Sequence, residues 1–180
     1  MVAVSEPSKS GFTLRMYAET LSAYRAEGYA VTSFANYLAE PHDQHLIMRH
    51  DIDNSLEQAM RVARADADAG CTSSFFLRAH ARGYNLLSLP SLMMIREIED
   101  LGHEVQLHLE GGFGRLLGGD ENSWADRQRA IFEAAVGRAS AVSASMNRRA
   151  WAESPLPIGF SRAGRMSSTT RTRIGSWRRR

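Results

Sequence analysis

The run Arg49-His50-Asp51-Ile52-Asp53 sets two carboxylates two residues apart. Side chains alternate along an extended chain, so Ile47, Arg49, Asp51 and Asp53 share one face and Leu46, Met48, His50 and Ile52 the other. Neither carboxylate is cheap to bury without a partner, which makes a cation the natural tenant. A helix N-terminus lined with acids is the competing reading, because the macrodipole favours negative charge there. A further polar row comes from Gly102-His103-Glu104-Val105-Gln106-Leu107-His108-Leu109-Glu110, where Glu104, Gln106, His108 and Glu110 share a face. Four polar side chains on a strand that otherwise reads as buried need a polar interior or a site. One neutral imidazole with one or more carboxylates suits Zn²⁺ or a similar divalent ion. A lone histidine is more often structural than a ligand, but here two acid-bearing strand ends converge on one.

These residues need strands whose C-terminal ends lie together, and the surrounding pattern supplies them. Thr13 to Glu27 reads as an amphipathic helix, with Leu14, Tyr17, Leu21 and Tyr24 at spacings of three and four and a stop at Gly28. A short helix is expected near Ser33 to Ala39, with Ser33 as N-cap. The run Leu46 to Asp53 reads as a buried strand ending in charge, and a helix capped by Asn54 or Ser55 runs on to about Ala69. Ser74 to Leu77 is a strand, Ser88 or Ser91 to Leu101 a helix, and Glu104 to His108 a strand. Gly111 to Gly119 suggests a mobile loop, Trp124 to Val136 a helix, and Val142 to Met146 a weak last strand. Strands alternating with helices imply βαβ units and a parallel sheet, in which ligands sit at the C-terminal strand ends.

Composition narrows the class further. A 180-residue chain is one ordinary domain but short for a closed α/β barrel, which needs roughly 250. One cysteine, Cys71, excludes an internal disulfide and reads as packing. The start Met1-Val2-Ala3-Val4-Ser5-Glu6-Pro7 lacks a secretory pattern, and no apolar run of about 18 residues exists, so the expected location is cytoplasmic and off the membrane. The net charge of +2 is uneven: Arg148 to Arg180 holds nine Arg and one Glu, and taking that +8 from +2 leaves −6 for the other 147 residues. The acidic body argues against nucleic acid as a partner, despite the terminal Arg178-Arg179-Arg180. Residues 148–180 form an Arg/Ser/Thr-rich tail with no apolar face, read as disordered or aberrant. The Met93-Met94-Ile95 cluster reads as core. His42 and His45 are expected to be solvated in a polar loop.

Taken together, the pieces resemble the polysaccharide deacetylases of the NodB-homology type, and more closely the branch whose first motif reads Arg-His-Asp-Val-Asp. The matching pieces are Gly28-Tyr29 with Ser33-Phe34, Arg49-His50-Asp51-Ile52-Asp53 and Thr72-Ser73-Ser74-Phe75-Phe76. Tyr84-Asn85 and Leu101-Gly102-His103-Glu104-Val105-Gln106-Leu107-His108 complete them, and the resemblance covers roughly Phe12 to Asn147. It implies an α/β fold, a partial or truncated distorted (β/α) barrel of the glycoside hydrolase/deacetylase type over residues 1–147, with a divalent metal, zinc foremost. It also implies Asp51 as general base, Asp53 and His108 as metal ligands, His103 as a structural histidine, and Arg49, Tyr84 and Asn85 on the substrate side. The activity implied is removal of an acetyl group from an N-acetylated sugar or related amide by metal-activated water.

Three departures from that pattern qualify the expectation. The position four residues after His108, where a second metal histidine stands in the family, is Gly112. Glu110 is then the third-ligand candidate, or else a solvated loop acid. Asn147 stands where the branch shows a histidine, and all six histidines lie at or before His108. The switch to Arg-rich sequence after Asn147 is what reading a gene in the wrong frame would produce. The alternative function is therefore a truncated, catalytically inactive homologue that binds a sugar or protein, with an exposed sheet edge open to oligomerisation.

Overall fold

The computed structural model describes residues 11–140. The expected strand at Val142 to Met146, the domain boundary at Asn147 and the Arg-rich tail lie outside the described residues.

Hydroxyl and carboxyl caps set where the helices begin. Helix α1 (Leu14–Ala26) starts where Thr13 accepts a hydrogen bond from the Met16 amide. After strand β1 (Ala30–Thr32), Ser33 caps α2 (Phe34–Ala39) through the Asn36 amide. Strands β2 (His45–Ile47) and β3 (Arg49–Ile52) lead to α3 (Leu56–Asp68), capped by Ser55. Strand β4 (Ser74–Leu77) precedes α4 (Leu89–Asp100), which Ser88 caps and which has Pro90 in its first turn, where no amide is missed. Strand β5 (Glu104–Leu107), the single turn α5 (Phe113–Leu116) and α6 (Glu121–Val136) complete the described chain. Each cap satisfies an amide that the helix itself leaves unpaired.

All strand pairs are parallel: β1 with β2, and β3, β4 and β5 side by side in that order. Sequence periodicity gives one strand from Leu46 to Asp53, whereas the structure divides it at Met48. The Met48 amide donates to the Thr32 carbonyl and its carbonyl accepts from the Ser74 amide, both at 2.9 Å. One residue thus turns the chain from β1 toward β4. The alternation survives the division, since Arg49 and Asp51 are exposed while His50 and Ile52 are half-buried.

On one face of β3–β5, Phe75, Leu77, Val105 and Leu107 pack with Leu56, Ala59, Met60, Ala63, Ile95, Ile98 and Phe132 from the helices. Burying each large side chain of this kind stabilises by about 1.5–3 kcal/mol. Cys71 packs with Leu21 and Val31 in a smaller cluster. The opposite face carries the polar row: Ser74 pairs with Glu104, and Gln106 donates to Glu104 at 2.8 Å. Four details differ from the sequence expectation. Strand β1 and the turn α5 were not anticipated, Met93 is exposed at 63 % rather than core, and His45 opens β2 with its ring tilted against Tyr37, centroids 4.1 Å apart, rather than lying free in a loop. Among the described residues no helix is long and apolar enough to cross a membrane.

Candidate functional site

In a parallel sheet all C-terminal strand ends lie on one edge, and here that edge gathers Asp53 after β3, Arg78 and His80 after β4, and His108 and Glu110 after β5. The His108 amide continues the ladder to the Leu77 carbonyl at 2.7 Å, so its side chain leaves from a fixed backbone. His108 Nδ1 lies 3.3 Å from Asp53 Oδ1. Arg78 bridges the group, with Nη1 3.7 Å from Asp53 Oδ1 and Nη2 paired to Glu110 Oε1. On the far side of Glu110, His80 Nε2 stands 2.6 Å from Oε2. Burial, and the Arg78 charge beside it, push the His80 imidazole below its ordinary range.

The framework around these side chains is tightly tied. The Tyr84 hydroxyl donates to the Ile52 carbonyl and accepts from the Arg78 amide, both at 2.8 Å, locking the end of β3 to the end of β4. Burial pushes that phenol up to about 12. Gly83 passes so close to the next loop that a Cβ would lie 1.8 Å from the Asn54 carbonyl oxygen. Gln128 of α6, 1 % exposed, accepts from the Glu110 amide at 3.1 Å and donates to the Glu110 carbonyl at 2.9 Å. Beyond Glu110, the Glu121 carboxylate accepts from the amides of Gly112 and Arg115, each at 3.0 Å, which shapes the glycine-rich segment around α5.

The predicted residues therefore fall into four groups. Asp53 and His108 come together, and Glu110 joins them only through Arg78. Asp51 is exposed and held by its own strand neighbour, with Arg49 Nε 2.7 Å from Oδ1 and the guanidinium 4.0 Å above the Phe76 ring. Tyr84 spends its hydroxyl inside the protein, while Asn85 is exposed and accepts from the Leu87 amide. His103 is buried, accepting from the Ser73 amide at Nδ1 and donating from Nε2 to the Ala63 carbonyl, so both ring nitrogens are used in packing the sheet on α3.

Sequence reasoning missed Arg78, His80 and Gln128 at the site, and a buried hub beneath it. Asp66, fully buried on α3, accepts from Tyr17 and Ser73 at 2.5 Å each and meets His50 Nε2 at 2.9 Å. A signal for the hub was present: Asp66 falls on the stripe Leu56, Ala59, Met60, Ala63 that α3 buries, where an acid demands donors. Burial and the adjoining Asp66 raise the Tyr17 phenol well above its usual range.

Imidazole and carboxylate are groups that a divalent ion takes as ligands, and at this edge some of them keep capacity for a partner. His108 Nδ1, His80 Nε2 and Glu110 Oε2 are buried atoms without a hydrogen bond of acceptable alignment, despite their close neighbours. The 3.3 Å between His108 and Asp53 suits adjacent ligands, which lie roughly 3 Å apart when each is about 2.1 Å from the ion. Among the described residues, no three His, Cys, Asp or Glu side chains are gathered closely enough to hold one ion together. The donors stand instead as two pairs with Arg78 between them.

Comparison with solved structures finds the same fold in two proteins. A Streptococcus pyogenes deacetylase, PplD, in complex with acetate, matches with a TM-score of 0.51 and 12 % identity over 77 % of this chain and 66 % of its own. IcaB from Ammonifex degensii matches with a TM-score of 0.54 and 16 % identity over 76 % of this chain and 67 % of its own. The chain thus spans about two thirds of the length of each. No protein-family model matches the sequence, and no curated protein matches it. The established result is an α/β fold with parallel sheets, shared with PplD and IcaB.

Proposed function

We propose that the chain is a partial (β/α) barrel of the polysaccharide-deacetylase type, acting as a metal-dependent hydrolase that removes an acetyl group from an N-acetylated sugar or related amide. The observation that carries this reading is the Asp53–His108 pair at the C-terminal ends of β3 and β5, 3.3 Å apart, with Asp51 two residues before it. Asp53 and His108 would hold a divalent ion, zinc foremost, with Glu110 as the third donor. Such an ion, when bound, supplies Lewis acidity toward an acetyl carbonyl and lowers the pKa of water toward about 7.

The residues of the chain itself supply the rest. Asp51 is exposed on the face that Asp53 continues, and its carboxylate takes the proton of an attacking water. Arg49 fixes that carboxylate through Nε, and its own guanidinium is steadied over Phe76. A charge-assisted bond of this kind keeps the carboxylate aimed. Tyr84 acts behind the site, holding two strand ends in register, while the exposed Asn85 stays available to a sugar. The likeness to a deacetylase in complex with acetate supports acetate as the product released, with the amine as leaving group, by analogy of fold.

The test is elemental analysis of the purified chain beside an Asp53→Ala/His108→Ala double variant. Near-stoichiometric zinc, or another divalent ion, in the wild type alone is the expected outcome, followed by acetate release from N-acetylated sugars. A folded wild-type chain that takes up no metal overturns the reading. The pairing of Glu110 with Arg78 favours a second one, a catalytically inactive homologue that binds a sugar or protein and self-associates along β5, whose outer side no other strand pairs among the described residues.

A further inference from the structure

Among the described residues Arg78 is the one cation that touches both donor pairs: Nη1 faces Asp53, which faces His108, and Nη2 pairs with Glu110, which faces His80. Its side chain is 21 % exposed, and Nε is buried with no hydrogen-bond partner, so the guanidinium is held by the two carboxylates rather than by a full set of acceptors. Arginine stays protonated at any pH the protein tolerates, so the competing cation is never lost by its own titration. The backbone beneath is fixed by Tyr84, which leaves the side chain as the part free to move.

We propose that Arg78 is a built-in counter-cation that competes with a divalent metal ion for Asp53 and Glu110 and so sets the affinity of the site. This rests on the metal-binding reading above and adds to it a regulator that the sequence motifs do not contain. The competition is direct. Two carboxylates neutralised by one guanidinium attract a second cation less, and the Glu110 oxygen paired with Nη2 must change partner before it can ligate. In exchange the guanidinium keeps the acids from repelling one another and holds their strand ends together. The site would then load at higher free metal than its donors alone would require, and in doing so would turn the Arg78 head away from Glu110.

Zinc titration by calorimetry of the full chain, alongside Arg78→Gln and Arg78→Lys, tests the proposal. Arg78→Gln is expected to bind zinc at least ten-fold more tightly than wild type, and Arg78→Lys, which keeps the charge, to stay within a few-fold of wild type. Cobalt(II) absorption in the visible reports the donor set independently of activity. A wild-type affinity that Asp53→Ala/His108→Ala abolishes but Arg78→Gln leaves unchanged or weakens overturns the competition while leaving the metal reading standing. Absence of zinc binding in both wild type and Arg78→Gln overturns both. Should Arg78→Gln fail to fold, the Arg78 guanidinium resonances of the wild type decide: a shift that saturates at one equivalent of zinc supports the proposal, and an unmoved signal overturns it.

Discussion

Two histidine–carboxylate pairs meet at β3 and differ in everything but residue type. In the interior, Asp66 is fully buried and takes Tyr17, Ser73 and His50 as partners, so each of its oxygens is used. At the strand end, Asp53 is 48 % exposed, and His108 beside it keeps a buried nitrogen without an aligned bond. Buried polar groups that serve only the fold are satisfied by the fold. Those that it leaves unsatisfied, at the edge where a parallel sheet opens to solvent, are the ones with capacity left for a ligand. Saturation, rather than the presence of histidine and acid, separates scaffold from site.

The sharpest way to break this contrast is to remove each carboxylate in turn. Asp66→Ala strands His50 and two hydroxyl donors in the interior and is expected to cost about 3–5 kcal/mol of folding stability in urea denaturation. Asp53→Ala, at an exposed position, should stay within about 1 kcal/mol of wild type. Equal losses in the two variants would erase the distinction. A smaller effect is expected at Tyr84→Phe, which deletes the hydroxyl between the Ile52 carbonyl and the Arg78 amide at a cost of about 1–3 kcal/mol. Because that hydroxyl faces inward, the variant should keep its zinc affinity within a few-fold of wild type. A large loss of affinity would place Tyr84 with the ligand-facing residues instead.

The smallest effect concerns Glu121, whose carboxyl is held below its ordinary range by the backbone N–H of Arg115 and then those of Gly112 and Gly114. A folded-state value below the unfolded one contributes stability above about pH 4.3, and that contribution disappears as pH falls through the folded value. The stability difference between wild type and Glu121→Gln should accordingly shrink between pH 5 and pH 3. A difference that stays constant over that interval would remove Glu121 as the organiser of the glycine-rich segment.

Much of this arrangement could be read from the sequence, and the rest has a physical reason for being hidden. The caps Ser33, Ser55 and Ser88, and the alternation along Arg49 to Asp53 and Glu104 to Glu110, are local signals that tertiary packing did not override. They suffice to bring Asp53 and His108 to one edge. Strand β1 is three residues long and exists only through its pairing with β2, so no periodicity announces it. Arg78 and His80 follow a strand buried throughout, and their meeting with Glu110, 32 and 30 residues further on, depends on sheet register alone. The fate of Glu110 could not be read for the same reason. A ligand or a solvated acid were the local options, and an ion pair with Arg78 is a non-local one.

Gln128 gives the site a lever. Its amide group meets the main chain of Glu110 as a neighbouring peptide unit would, one donor and one acceptor against one acceptor and one donor. Helix α6 is thereby geared to the segment that carries Glu110, and Phe132, one turn further on, seats the same helix in the core. A change in how α6 is seated, made on a surface remote from any ligand, would be felt as a displacement of Glu110.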